Sequence, residues 1–124
     1  MFDKLFIQNS VIGVALDAYT VRNEIIQHNI SNVDTPGFKK KIVEFEQAFS
    51  KALDSFKKTG DLNLSDASPK ISVFHENYSF RLDGNNVDID IEMAELYKNG
   101  VKYDMLTNAV INNYRKINLV TTGR

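Results

Sequence analysis

Catalysis and metal binding need nucleophiles, acids, bases or ligands at usable spacings, and this chain offers few. His28 and His75 are its only histidines, cysteine is absent, and neither histidine stands in an H-E-x-x-H or comparable metal spacing. The lack of cysteine also removes disulfides, thiolate metal sites and thiol nucleophiles, and leaves the redox compartment open. His28 shares its stretch with Asp17 and Ser31, but no glycine-rich nucleophile turn accompanies them, and a catalytic triad is defined by geometry, not composition. A histidine on a helix surface or facing a partner is the expectation at position 28.

The oxygen-rich segment Asp83-Gly84-Asn85-Asn86-Val87-Asp88-Ile89-Asp90-Ile91-Glu92 invites a calcium reading, because that ion needs oxygen ligands at alternate positions of a loop. The register fails. Counting from Asp83 puts Val87 at the fifth position, and counting from Asp88 puts Met93 where the loop glycine belongs. A turn followed by a helix N-terminus accounts for the residues, since Gly and Asn tolerate left-handed backbone and acids favour a helix start. No phosphate loop, dinucleotide fingerprint or kinase set is present, so no catalytic residue, metal ligand or cofactor is expected, and the chain is not expected to be an enzyme.

What remains is shape. The chain has 124 residues, 43% of them hydrophobic, which is one domain's worth and enough for a core without staples. From Leu5 to Ile30 the apolar residues recur at helical spacing. Leu5, Ile12, Leu16, Tyr19, Ile26 and Ile30 form one stripe, and Val11, Val14, Ala18, Val21 and Ile25 lie beside it. Thr35-Pro36-Gly37 should end that helix near Asn32 in a type II turn. Lys39, Lys40 and Lys41 then read as a solvated turn flank. Glu44 to Lys58 reads as a short amphipathic helix with Phe45, Phe49, Leu53 and Phe56 on one face. Ile71–His75 and Tyr78–Leu82 read as a small hairpin. A second long helix should begin near Asp88 or Asp90 and run to about Ile117, with Leu96, Tyr103, Leu106, Val110, Tyr114 and Ile117 as its stripe. The fold class is therefore mainly α, with long terminal helices pairing as an antiparallel coiled coil around a short irregular middle. The segments are 1–35, 36–88 and 89–124.

A net charge of −1 argues against a general nucleic-acid binder. Charge is uneven locally. Asp83, Asp88, Asp90, Glu92, Glu95 and Asp104 outnumber the bases between them, whereas Arg115, Lys116 and Arg124 have no acid among residues 105–124. Acids at the start and bases near the end of the second helix complement its dipole. The uncharged run Leu5–Leu16 is too short and polar to span a bilayer, and no cleaved signal peptide is expected.

The stretch Asn29-Ile30-Ser31-Asn32-Val33-Asp34-Thr35-Pro36-Gly37-Phe38-Lys39 closely resembles the N-terminal signature of the flagellar rod and hook family. Within that family, Asp83-Gly84-Asn85-Asn86-Val87-Asp88 and the residues through Met93, with Gly123-Arg124, resemble the proximal-rod branch. The resemblance implies a structural subunit that polymerises helically into part of the drive shaft for motility. The terminal helices would form the inner coiled-coil layer, and the connector motif Asn29, Asn32, Thr35, Pro36, Gly37, Phe38 and Lys39 would pack against adjacent subunits.

It also implies partners: further copies of the chain, the rod proteins FlgC, FlgF and FlgG, the rod-to-ring adaptor FliE, and the type III export gate. Phe2 and Phe6 resemble the export element of such substrates. The implied location is the basal-body rod within the cell envelope, in the periplasm, reached without a cleaved signal. Poor helix formers such as Asn23, Asn99, Gly100, Asn108 and Asn113 mean that the long helices depend on packing for stability. They are expected to order largely on assembly. The competing reading is a self-contained helical adaptor or secretion chaperone, and a further one is another rod subunit of the same family.

Overall fold

The computed structural model describes residues 2–74 and 81–123, without the side chain of Phe2. Helix α1 covers Phe2–Ser31, strand β1 Lys41–Glu44, helix α2 Glu46–Thr59, strand β2 Lys70–Val73 and helix α3 Ile89–Thr122. A single 3₁₀ turn, Ser65–Ala67, precedes β2. With 30 and 34 residues, α1 and α3 are about 45 and 51 Å long. They pair antiparallel, as three cross-helix bonds demonstrate: Asn29 to Glu92, Asn99 to the Tyr19 carbonyl and Asn113 to Asn9.

Asp88 caps α3, its side chain accepting from the backbone N–H groups of Asp90 and Ile91, which fits the acids expected there. The helix runs on past the expected end at Ile117 to Thr122. Gly123 closes it in left-handed conformation, with its N–H on the Leu119 carbonyl.

The middle departs from expectation in two places. Ile71 to Val73 is extended as expected, but among the described residues it pairs with β1, a partner not expected from the sequence. The register is Lys41↔Val73, Ile42↔Ser72, Val43↔Ile71 and Glu44↔Lys70. The physical reason is burial: β1 lies along α1 and seats Val43 in the core, so its open edge takes up β2. Residues 75–80, which the expected hairpin included, lie outside the described residues. Pairing also delays the short helix, which starts at Glu46 instead of Glu44.

The core is thin. Ile12, Ala15, Ala18 and Ile26 of α1 meet Val43 and Phe45, and Val87 closes the end near the start of α3. Small residues at 15 and 18 permit close approach. Phe45 packs edge-on against both Tyr19 and Phe49. Arg22 fastens this layer to α1: it forks onto the Glu46 carboxylate, donates to the Val43 carbonyl at 2.7 Å, and lies over the Phe45 ring. Burial pushes the Glu46 carboxyl up, but the hydrogen bond from Arg22, with backbone N–H groups, outweighs it and holds the group below its ordinary value of 4.5. The same hydrogen bond raises Arg22.

A depressed carboxyl stabilises the fold above its ordinary value, and the contribution is lost as pH falls through the folded-state value. Urea midpoints measured between pH 7 and 3 should therefore fall on the acid side, and Glu46→Gln should flatten that limb. An unchanged limb in the variant would remove Arg22–Glu46 from the interactions that hold the middle onto α1.

Candidate functional site

Two sequence motifs fifty residues apart fold into one junction. Its centre is Asn29, which is 1% exposed. Its amide donates to the Lys41 carbonyl at 2.8 Å and to the Glu92 carboxylate at 3.0 Å, while its Oδ1 accepts from the Lys41 N–H at 2.9 Å. One side chain thus ties the end of α1, the first residue of β1 and the first turns of α3. Glu92 is itself buried, and Lys40 approaches its other oxygen at 3.7 Å.

Asn85, also 1% exposed, does the equivalent work for the turn between α1 and β1. Its amide is shared among the carbonyls of Asn32, Val33 and Thr35, each at 2.9 Å, and its Oδ1 accepts from the Val87 N–H. Arg81 adds a bond to the Val33 carbonyl. The turn itself has Gly37 at φ +70° and the Phe38 N–H on the Thr35 carbonyl, the geometry expected of Pro36-Gly37. Gly84, at φ +80°, abuts it: a Cβ there would stand 3.7 Å from the Gly37 Cα, and the Gly37 N–H donates to the Asp83 carbonyl. Asn86 Oδ1 accepts from the Lys40 N–H at 2.7 Å, and its amide reaches the Phe74 carbonyl.

The lysine triplet is not the solvated flank that its charge predicts. Lys39 donates to the Gly84 carbonyl at 2.6 Å, Lys40 sits between Glu92 and the Phe74 ring, and Lys41 is spent on Asn29 through its backbone. The ammonium groups of Lys39 and Lys40 thus meet the Gly84 carbonyl, the buried Glu92 carboxylate and the Phe74 ring, whereas Lys41 is engaged through its backbone alone. His28 is exposed, its ring 5.6 Å from that of Phe38. Ser31 donates to the Gln27 carbonyl within its own helix. Among the described residues, no group of three or more His, Asp or Glu side chains is placed to hold a metal.

The apolar stripes divide between two environments. Ile12 and Ile26 are buried, and Leu5, Leu16, Tyr19 and Ile30 are half-buried on α1. On α3, Leu96, Leu106, Val110 and Ile117 are half-buried, Tyr103 is partly exposed along the groove between the two helices, and Tyr114 is exposed. Leu106 shares a crevice with Ile12, Ala15 and Phe45, inside the hairpin.

Two features of α3 do not follow from apolar heptad periodicity. Glu92, Asn99, Leu106 and Asn113 are seven apart, and all but Leu106 are buried polar groups in the helix seam. Ile89, Met93, Tyr97, Val101 and Met105 are four apart and all exposed, Tyr97 by 76% and Met105 by 66%. That second set makes an apolar ridge about 24 Å long on the outside of α3. Rows of residues four apart are the ridges that interdigitate when helices pack.

The flagellar basal body rod protein FlgB of Borreliella burgdorferi is 35% identical over 120 residues, covering 85% of this chain and 88% of that protein. The chain belongs to the FlgB family of flagellar basal body rod proteins. The FlgB of Bacillus subtilis is 32% identical over 114 residues, covering 88% of each chain. That of Buchnera aphidicola subsp. Baizongia pistaciae is 26% identical across 99% of this chain and the whole of the relative. No family model matches the chain. Among the described residues no helix is long and apolar enough to cross a membrane.

Two substitutions test the junction. Asn29→Ala leaves Glu92 and both backbone groups of Lys41 short of partners and should cost about 3 kcal/mol in urea unfolding. Asn85→Asp keeps the shape but sets a carboxylate against three carbonyls. It should speed amide exchange across Asn32–Phe38 at least tenfold. Wild-type stability and exchange in both variants would show that the junction does not hold the two motifs together.

Proposed function

We propose that this chain is a structural subunit of the proximal rod, polymerising helically as part of the drive shaft for motility. The observation that carries the reading is the ridge Ile89, Met93, Tyr97, Val101 and Met105, exposed on a helix whose opposite face is already closed by α1. A solitary protein has no use for five apolar residues in line on its surface, whereas an open helical assembly needs a heterologous contact of this kind. Residues 1–35 and 89–124 then form the packed inner layer of the rod, with 36–88 as the connector between them. The motif residues Asn29, Asn32, Thr35, Pro36, Gly37, Phe38 and Lys39, with Asp83 to Asp88, fix the angle at which each connector meets its neighbours.

The neighbours are further copies and the rod proteins FlgC, FlgF and FlgG, with FliE at the membrane-ring end. The chain reaches the periplasm through the type III export gate without a cleaved signal. Phe6 is exposed on the first turns of α1, as an export element requires, and Phe2 stands one turn before it. No step in this function calls for bond-making chemistry. The protein acts by shape alone.

Surface substitutions remote from packing change stability by only a few tenths of a kcal/mol. Tyr97→Asp with Met105→Asp should therefore leave helix content and melting temperature within a few degrees of wild type. In cells carrying only that variant, incorporation into basal bodies and swimming should be lost. Normal swimming would refute the ridge as an assembly face. Leu106→Asp is expected to abolish incorporation as well, but through the hairpin, and its melting temperature should drop with it.

A further inference from the structure

On one side of the α1–α3 hairpin, away from Val43 and Phe45, lies an open groove of about 400 Å³ between the two helices. Asn99 lines it. This residue is 3% exposed, its amide donates to the Tyr19 carbonyl, and its Oδ1 is buried with no hydrogen-bond partner among the described residues. A buried acceptor left unpaired is costly unless a donor reaches it from outside. Beside it, position 100 is glycine, and a Cβ there would meet nothing within 4 Å, so the wall is open at that point. The lips carry Glu24 of α1 and Asp104 of α3, and neither has a basic partner among the described residues. Lys102 lies over the Tyr19 ring and not on these carboxylates. The groove thus asks for a cationic group with several N–H donors on a slender support.

The chain carries such a group at the other end of the same helix. Arg115 is exposed, its one side-chain hydrogen bond among the described residues is to Asn112 at 3.5 Å, and it has no acid among residues 105–124 to pair with. Ile111 and Leu119, four residues to either side, are exposed on the same row of α3. Guanidinium offers five donors in a fork, enough for two carboxylates and a carbonyl-type oxygen together. We propose that the groove receives the Ile111–Arg115–Leu119 row of a second copy, with Arg115 between Glu24 and Asp104 and one N–H on Asn99 Oδ1. Because donor row and groove are different surfaces of one chain, the contact is head-to-tail and leaves both ends free to repeat. The two surfaces stand about fifteen residues apart on α3, which sets an axial offset near 22 Å between the copies. This contact rests on the rod-subunit reading and names which surfaces of neighbouring copies meet.

The absence of cysteine permits a direct test. The full chain with Thr20→Cys on the groove lip and Asn112→Cys beside Arg115 replaces the native copy in cells. Basal bodies are then purified and treated with a short bismaleimide. Cross-linked dimers and higher ladders are expected, because within one chain the two positions are too far apart along the hairpin for a short linker. Adding Arg115→Glu should lower ladder yield at least tenfold. Adding Glu24→Arg and Asp104→Arg to that chain should restore it, since the charges are then exchanged. Incorporated chains that give no ladder, or a ladder indifferent to Arg115→Glu, would overturn this contact while leaving the rod reading in place. Absence of the wild-type chain from basal bodies would overturn the rod reading, and this contact with it.

Discussion

A carboxylate buried at the start of α3 obliges the rest of the fold to gather around it. Glu92 lies where α1 and α3 converge with β1, and an unpaired charge there would cost several kcal/mol. Asn29 and Lys40 meet it, and in meeting it they bring the end of α1 and the start of β1 to one point. The same logic repeats along the seam at Asn99 and Asn113, each reaching a polar group on α1. An all-apolar seam would tolerate sliding by a heptad. One with polar pairs at these depths does not, because each slipped register strands several buried groups, as single buried Asn residues do in coiled coils.

That arrangement gives up some stability in return for a single geometry. The seam loses apolar burial at three of the four positions seven apart, and α3 contains Asn99, Gly100, Asn108, Asn112 and Asn113, all weak helix formers. A subunit whose seam fixes one register suits a polymer that must repeat one geometry. In the proposed assembly each added neighbour would cover the outer ridge of α3 and supply burial the isolated chain lacks. The small middle sheet and α2 ride on α1 through Val43, Phe45 and the Arg22–Glu46 pair, and they leave the outer faces of α3 clear.

Much of this was legible in the residues. Apolar recurrence located both long helices, Pro36-Gly37 located the turn, and the Asn29–Lys39 and Asp83–Met93 stretches pointed to the family. Three things were not legible. The pairing of Ile71–Val73 with Lys41–Glu44 is a contact thirty residues apart with short, unremarkable strands, whereas a local hairpin fits the same composition. The lysine triplet reads as solvent-facing because charge alone does not reveal that a left-handed Gly84 carbonyl and a buried Glu92 wait for it. Apolar periodicity does not reveal the polar seam, although Glu92, Asn99 and Asn113 sit seven and fourteen apart. The ridge at Ile89, Met93, Tyr97, Val101 and Met105 was likewise available, as the apolar surface left over once one partner helix has been satisfied.

Segment-resolved hydrogen exchange on the free, full-length chain at low concentration tests the central claim most directly. If the Asn29–Glu92 junction is what orders the molecule, protection should be highest around residues 26–43 and 85–99 and decline along both helices toward residues 2–8 and 117–122. Exchange as fast at the junction as at the helix ends, or protection centred elsewhere on the hairpin, would contradict it.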